Sequence, residues 1–306
     1  MSFNLIAETA KLPAILAVAR DGSPSAAAQR IGLQPSTLYR QIQSAEHAVG
    51  SPLFFRRNGT WTPTPIGKRL VDIAVELESR LIDFNLVASA HDQRAEGLLR
   101  VTASDAQANF YLSGKLADFK AHFPLLTVEL IVTNRRLDLA NGDADIALRP
   151  HSQPGDGLVG RRVGRILHAV YGAQHYLDRI APIRSYDDLH HAEIIDYGQK
   201  ISHFSAAQST ANMLRGKRTV ARFDSITSMA RAVEAGLGLA VLPCFVGDQL
   251  VSTRKLFLAD DGLPSDIWLL CHKSQRRSPK VSNFVRYFAN IIRRDSLVFE
   301  GRAGNV

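Results

Sequence analysis

The run Asp21-Gly22-Ser23-Pro24-Ser25-Ala26-Ala27-Ala28-Gln29-Arg30-Ile31-Gly32-Leu33-Gln34-Pro35-Ser36-Thr37-Leu38-Tyr39-Arg40-Gln41-Ile42 decides how this chain is read. It contains the end of one helix and two more helices joined by a tight turn. Leu12, Ile15, Leu16 and Ala19 recur at helical spacing, and Asp21-Gly22 stops that first helix. Ser23 or Ser25 offers an N-cap for a short Ala-rich helix reaching Ile31, with Gly32 as its stop. Pro24 suits the first turn, where its missing N–H costs nothing. A longer helix opens at Pro35 and runs to Val49 before Gly50. Leu38, Ile42, Ala45 and Val49 lay its apolar residues along one stripe.

Two helices joined by Gly32-Leu33-Gln34, the second with a polar outer face, form a helix-turn-helix. Stepping 100° per residue from Leu38 puts Ser36, Arg40, Gln43 and His47 opposite the stripe, with Thr37, Tyr39 and Ser44 beside them. Such a face suits the DNA major groove. Arg pairs bidentately with guanine, Gln with adenine, and Ser or Thr reaches bases or phosphates. Ser25 on the preceding helix joins these candidates. Outward from the helices, Leu53-Phe54-Phe55, Arg56-Arg57, Asn58-Gly59 and Trp61-Thr62 read as a hairpin closed by Pro63 and Pro65. Arg56 and Arg57 make it a basic wing for phosphate or minor-groove contact. The competing reading is a plain helical hairpin with a solvated face, and the Arg-bearing wing argues against it.

From Ile66 to about Asp92 there is no Pro and no Gly except Gly67. Leu70, Leu77 and Phe84 recur every seven residues, with Ile73, Ala74, Leu81 and Val87 between them. This predicts one long amphipathic helix whose seam, Leu70, Leu77, Leu81 and Phe84, pairs with a second copy. After Gly97 strands and helices alternate. Strands are expected at Leu98–Thr102, Leu126–Thr133, Ile146–Leu148, Ile166–Tyr171, Ile194-Ile195, Leu239–Leu242 and Ile267–Cys271. Helices are expected at Phe110–Phe123, Arg136–Asn141, Ile226–Ala235 and Val281–Arg293. The alternation predicts an α/β domain with a largely parallel sheet, split by a cleft into two subdomains.

Composition sets the bounds. The 306 residues are 45% hydrophobic and 22% charged, which excludes disorder over most of the chain. No stretch has the roughly 18 to 20 apolar residues of a membrane span. Met1–Lys11 lacks the pattern of a secretory leader, and Cys244 and Cys271 each sit in an apolar run, which together predict a cytoplasmic protein. The formal charge is +8, but its distribution says more. Residues 20–70 carry seven basic groups against two acidic, a net of +5, whereas residues 71–92 carry one against five, a net of −4.

The segments Asp21 to Gly32, Ser36 to Ile42, Leu53-Phe54 and Thr62-Pro63-Thr64-Pro65-Ile66-Gly67 resemble the LysR-type transcriptional regulators. So do Asp143-Ala144-Asp145-Ile146-Ala147-Leu148-Arg149, Gly236-Leu237-Gly238-Leu239-Ala240-Val241-Leu242-Pro243 and Ser278-Pro279-Lys280-Val281, in the family's order. The chain departs from the family pattern in having Gln34-Pro35 where Ser-Gln is usual, Tyr39 for a small Ser, and Pro24 for an aromatic. The resemblance implies a winged helix-turn-helix over 1–65, a linker helix over 66–92 and an effector-binding domain over 93–306. That domain would resemble type 2 periplasmic binding proteins, with one subdomain from 93–164 and 266–300 and the other from 165–265. It also implies a non-enzymatic regulator, dimeric or tetrameric. Its partners would be double-stranded promoter DNA, a small-molecule inducer in the cleft and, for an activator, RNA polymerase; no cofactor, metal or membrane is called for.

Open sheets bind ligands beyond the carboxyl ends of their strands, where helix starts present free N–H groups. Ser104, Thr133 and Asn134 stand in such places, and Arg149 would supply charge for an anionic inducer. Tyr197, Phe204, Asp224 and Ser225 are the candidates from the second subdomain. Two other classes of function stay open: a small-molecule binder whose head only dimerises, and a nucleotide-dependent enzyme. Gly155-Asp156-Gly157-Leu158-Val159-Gly160 does match GxGxxG, but a strand rather than a helix is expected after it, which argues against dinucleotide binding. His190-His191 reads as a surface pair at a helix end, and no histidine pair has zinc-site spacing.

Overall fold

A computed structural model describes residues 9–57, 59–90, 95–135, 137–150, 155, 157–202, 207–208, 210, 214–259 and 264–302. It divides into two units, Met1–Asn85 and Leu86–Val306. The first holds α1 (Leu12–Asp21), α2 (Pro24–Ile31), α3 (Pro35–Val49), strands β1 (Phe54–Arg57) and β2 (Thr60–Pro63), and most of the long helix α4 (Pro65–Ala90). Ser23, not Ser25, caps α2, with Oγ accepting from Ala26 N at 3.5 Å. Ile15, Val18, Leu38, Ile42, Leu53 and Trp61 form the core of this unit. Each such side chain, fully buried, contributes about 1.5–3 kcal/mol of hydrophobic stabilisation.

The Thr-Pro-x-Gly segment that links wing to α4 has a steric logic. Thr64 caps α4: its Oγ1 accepts from Gly67 N at 3.0 Å and donates to Pro52 O at 2.8 Å. Thr64 N donates to Leu53 O at 2.9 Å. A Cβ on Gly67 would lie 1.9 Å from that same Leu53 oxygen, so only glycine lets α4 start against the wing.

In the second unit, β3 (Gly97–Ala103) leads into a helix, α5, that starts as Asp105–Gln107, passes a π-helical turn at Ala108–Leu112 and continues as Ser113–His122. β4 (Leu126–Val132), β5 (Ile146–Pro150), β6 (Leu158–Ile166), β7 (His168–Ala173), β8 (Glu193–Tyr197) and β9 (Arg218–Phe223) follow. Then come α6 (Ile226–Glu234), β10 (Ala240–Pro243), β11 (Thr253–Leu258), β12 (Ser265–His272) and α7 (Pro279–Arg294). One lobe is built on a sheet of order β4-β3-β5-β12-β6. Phe284, Tyr287 and Phe288 of α7 pack on Phe119 of α5 with ring centroids 5.2–5.6 Å apart. The other lobe has the sheet β10-β7-β11, which a parallel bridge between Ile194 and Leu239 links to the pair β8-β9.

The expected, largely parallel sheet is corrected to mixed sheets. β3 runs parallel to β4 and β5, but β12 is antiparallel to β5 and β6, and β7 is antiparallel to β10 and β11. Parallel neighbours need a long crossover, which α5 supplies between β3 and β4. β12 arrives from the other lobe without a crossover helix and runs against its neighbours. The helix expected at Arg136–Asn141 is also corrected. Its described residues form turns, with Asp138 Oδ1 accepting from Ala140 N at 2.9 Å and Asn141 N at 3.3 Å. A side chain that serves nearby backbone N–H groups competes with helix formation. Within the GxGxxG match β6 already begins at Leu158, and a Cβ on Gly160 would lie 2.5 Å from Leu269 O, so that glycine serves strand packing.

Candidate functional site

The buried face of α3 (Leu38, Ile42 and Ala45) locks it to the core, while Ser36, Arg40 and Gln43 are exposed and Thr37 is half-buried beside them. Ser25 is exposed on α2. The N-cap Gln34 makes no side-chain cap bond, so the start of α3 lacks the usual hydroxyl. Tyr39 has a structural partner: its ring meets Trp61 edge-on at a centroid distance of 5.4 Å. Trp61 also packs on Phe54 at 5.9 Å and lies under the Arg56 guanidinium at 4.2 Å. Arg56 Nη2 donates to Glu46 Oε2 at 2.6 Å, and the other oxygen of Glu46 accepts from Leu53 N at 2.9 Å. The wing is thus fastened to α3 through Tyr39–Trp61 and through Glu46. Arg56, paired within the unit, is held in place by this network, while Arg57 is exposed at the strand end.

On α4, Leu70 is buried and Leu77 partly buried against the core of this unit. Ile73 and Leu81 are exposed, at 48% and 54%. Of Phe84, only its place in the helix falls within what is described.

Between the lobes of the second unit lies a cavity of about 30 Å³, room for roughly two waters. Ser104, Ala106, Gln107, Pro150 and Ile166 line it from one lobe, with Ser265 at the start of β12, and His168, Tyr197, Ile226, Pro243 and Phe245 from the other. Of the expected effector residues, Ser104 and Tyr197 are in this lining. Ser104 is buried and donates to Gln107 Oε1 at 2.9 Å, whereas the Tyr197 hydroxyl donates to Val241 O at 2.9 Å and leaves its ring as the wall. Burial raises the Tyr197 pKa, so that hydroxyl stays protonated.

Asn134, Asp224 and Ser225 bridge the lobes instead. Asn134 Oδ1 accepts from Asp105 N at 3.2 Å and its Nδ2 donates to Asp224 O at 3.0 Å. Ser225 caps α6 and donates to Asp105 Oδ2 at 2.6 Å. Thr133 Oγ1 accepts from Arg135 N at 3.1 Å and lies outside the lining. Arg149 is buried and donates from Nη2 to Thr102 Oγ1 at 2.8 Å, also outside the lining. Phe204 lies outside the described residues. Sequence reading missed Gln107, His168, Phe245 and Ser265. Pro150 and Pro243 end their strands, so the carboxyl-end rule would have found them.

Both cysteines are buried and free. Burial pushes the Cys244 thiol up to about 11 and raises that of Cys271 as well, which keeps both protonated at neutral pH. Among the described residues no group of His, Cys, Asp and Glu is arranged to hold a metal, and no helix is long and apolar enough to cross a membrane.

Two family descriptions match the chain: the LysR substrate binding domain over residues 92–291, and the bacterial regulatory helix-turn-helix protein, lysR family, over residues 10–68. The uncharacterized HTH-type transcriptional regulator YhjC of Escherichia coli is 24% identical over 283 residues, 90% of this chain and 95% of that protein. The Mau operon transcriptional activator of Paracoccus denitrificans is 25% identical over 282 residues, 92% of this chain and 95% of that protein. CrgA, a LysR-type transcriptional regulator from Neisseria meningitidis, superposes with a TM-score of 0.60 at 16% identity, covering 92% of this chain and 98% of that one. Regulators of this kind bind promoter DNA and small-molecule effectors, they oligomerise, and they are not enzymes. A helix-turn-helix with its wing, a long helix and a two-lobed domain with a cavity in its cleft, in that order, make this chain a member of the LysR family of transcription regulators.

Proposed function

We propose that this regulator is cytoplasmic and has no catalytic activity of its own, and that it reads a partly palindromic promoter site with α3. Residues 1–65 would be the DNA-binding domain, 66–92 the linker and 93–306 the effector domain, with RNA polymerase a partner if it activates. Arg40 and Gln43 contact base edges, Ser25, Ser36, Thr37 and Tyr39 support them, and Arg57 contacts phosphate. The observation that carries this reading is the exposed polar face of α3 opposite a fully buried stripe, with the wing fastened beside it. Arg56, paired with Glu46 and stacked on Trp61, holds the wing in place and with its half-exposed guanidinium contacts phosphate beside Arg57.

Binding to operator and random DNA over a range of salt tests this. Arg40→Ala should cost about 1–3 kcal/mol on the operator and relax discrimination at one base position. Arg57→Ala should weaken both DNAs alike and reduce the salt slope by about 1. Equal losses on both DNAs for Arg40→Ala would refute the base-reading role.

The effector occupies the cavity between the lobes. Its closure changes how reader heads are spaced along the DNA, a shift between assembly shapes. The anionic inducer expected from Arg149 finds no support in the lining residues.

The copies pair through α4. Leu70 and Leu77 already pack within the unit, so the exposed Ile73 and Leu81, with Phe84 further along, make the seam. Ile73→Glu is therefore expected to give a monomer with an intact circular dichroism spectrum. Sedimentation showing the native oligomer would rule that seam out. A Leu77→Glu variant is a poorer probe, because it also damages the reader core.

A further inference from the structure

We propose that the cavity between the lobes selects an uncharged ligand that presents a carbonyl-type acceptor on a compact apolar skeleton, such as an amide, lactam or ketone, and excludes carboxylates and phosphates. This rests on reading the cavity as the effector site.

Residues at the start of α5 and of α6 border the cavity, and helix starts favour anions through their N–H groups and dipoles. In this chain the protein's own carboxylate takes that ground. Asp105 Oδ2 accepts from Ser225 Oγ at 2.6 Å and from Thr227 N at 3.1 Å, so a side chain of one lobe sits on the first turn of a helix of the other. Asp105 is outside the lining but stands between the lining residues Ser104 and Ala106, so a ligand anion would have a like charge as a neighbour, and burial weakens the screening between them. No Lys or Arg compensates among the described lining residues; the imidazole in the lining is that of His168. Arg149, beside the lining residue Pro150, is directed to Thr102.

What the cavity offers instead is a donor. Gln107 is 2% exposed, and its Oε1 accepts from Ser104 Oγ at 2.9 Å. Its Nε2 is buried and has no hydrogen-bond partner among the described residues. In this orientation the oxygen is engaged and the N–H groups remain to be met. A buried donor without a partner is costly, and a carbonyl oxygen relieves that cost without importing a charge. Ile166, Ile226, Pro243 and Phe245 supply an apolar wall for the skeleton.

Titrating the full-length protein with small acid and amide pairs matched to that space tests this, using formate and formamide, acetate and acetamide, and propionate and propionamide. Kd by calorimetry and Tm shifts are the readouts. The amide should bind at least tenfold more tightly than its acid. Gln107→Leu and the isosteric Gln107→Glu, both checked for folding by circular dichroism, should each lose the amide by tenfold or more. Asp105→Asn should narrow the acid's deficit. If acids bind more tightly than amides and Gln107→Leu weakens them, the cavity is the effector site but the ligand class is wrong. If no pair binds, or binding ignores both Gln107 variants, the effector reading of the cavity falls as well.

Discussion

Gly67→Ala is expected to destabilise the reader unit by about 4 kcal/mol, from overpacking of up to about 3 and a lost cap of about 1. The added methyl would stand 1.9 Å from Leu53 O, a backbone atom that no rotamer change can move aside. Shifting it also breaks the Thr64 N to Leu53 O bond and disturbs the Thr64 cap on α4. Small domains have about 5–15 kcal/mol of stability in all, so this loss takes much of what the reader has. At roughly 4–8 °C per kcal/mol, its transition in scanning calorimetry should fall by on the order of 20 °C, while that of the effector unit stays in place. A shift of only a few degrees would show that α4 can start elsewhere.

Trp61→Ala carries the second large effect, about 3–5 kcal/mol for emptying a buried aromatic site. Trp61 touches Tyr39 of α3, Phe54 of β1 and the Arg56 guanidinium, so its loss also frees the wing from the recognition helix. Denaturant unfolding followed by far-UV circular dichroism measures the cost. DNA binding of the fraction still folded should fall on operator and random DNA alike, because the wing contributes no base reading. Trp61→Phe, which keeps an aromatic ring, should retain most of both properties. A Trp61→Ala variant that loses less than about 1 kcal/mol would mean the cavity collapses at little cost.

Local chemistry explains why the reader was so legible in the sequence. Gly22, Gly32 and Gly50 end their helices, Ser23 caps one, and the Leu38–Ile42–Ala45 stripe names its own buried face. Each of these signals acts over a few residues. Pairings across longer separations were not visible. The direction of β12 depends on where the other lobe releases the chain, and the tie of Arg56 to Glu46 depends on how the wing folds back. The same holds for the heptad: periodicity marks Leu70 and Leu77 as buried but cannot say whether a partner copy or the reader core buries them. In the cavity, Ser104 was legible because it follows a strand and opens a helix. His168 and Ser265 carry no such mark, since they matter only where the chain changes lobes.

Those crossings have a mechanical consequence. The chain passes between lobes at Leu167, from β6 to β7, and again between Ala259 and β12. Ala259 N donates to His168 O at 2.9 Å, which ties the two passages together. Ile166, His168 and Ser265, all in the cavity wall, stand at these passages. The cavity therefore sits at the fulcrum of the two lobes rather than between their tips. A wedge at a fulcrum trades distance for angle: were the lobes to turn about these two passages, a small change there would carry their far ends further.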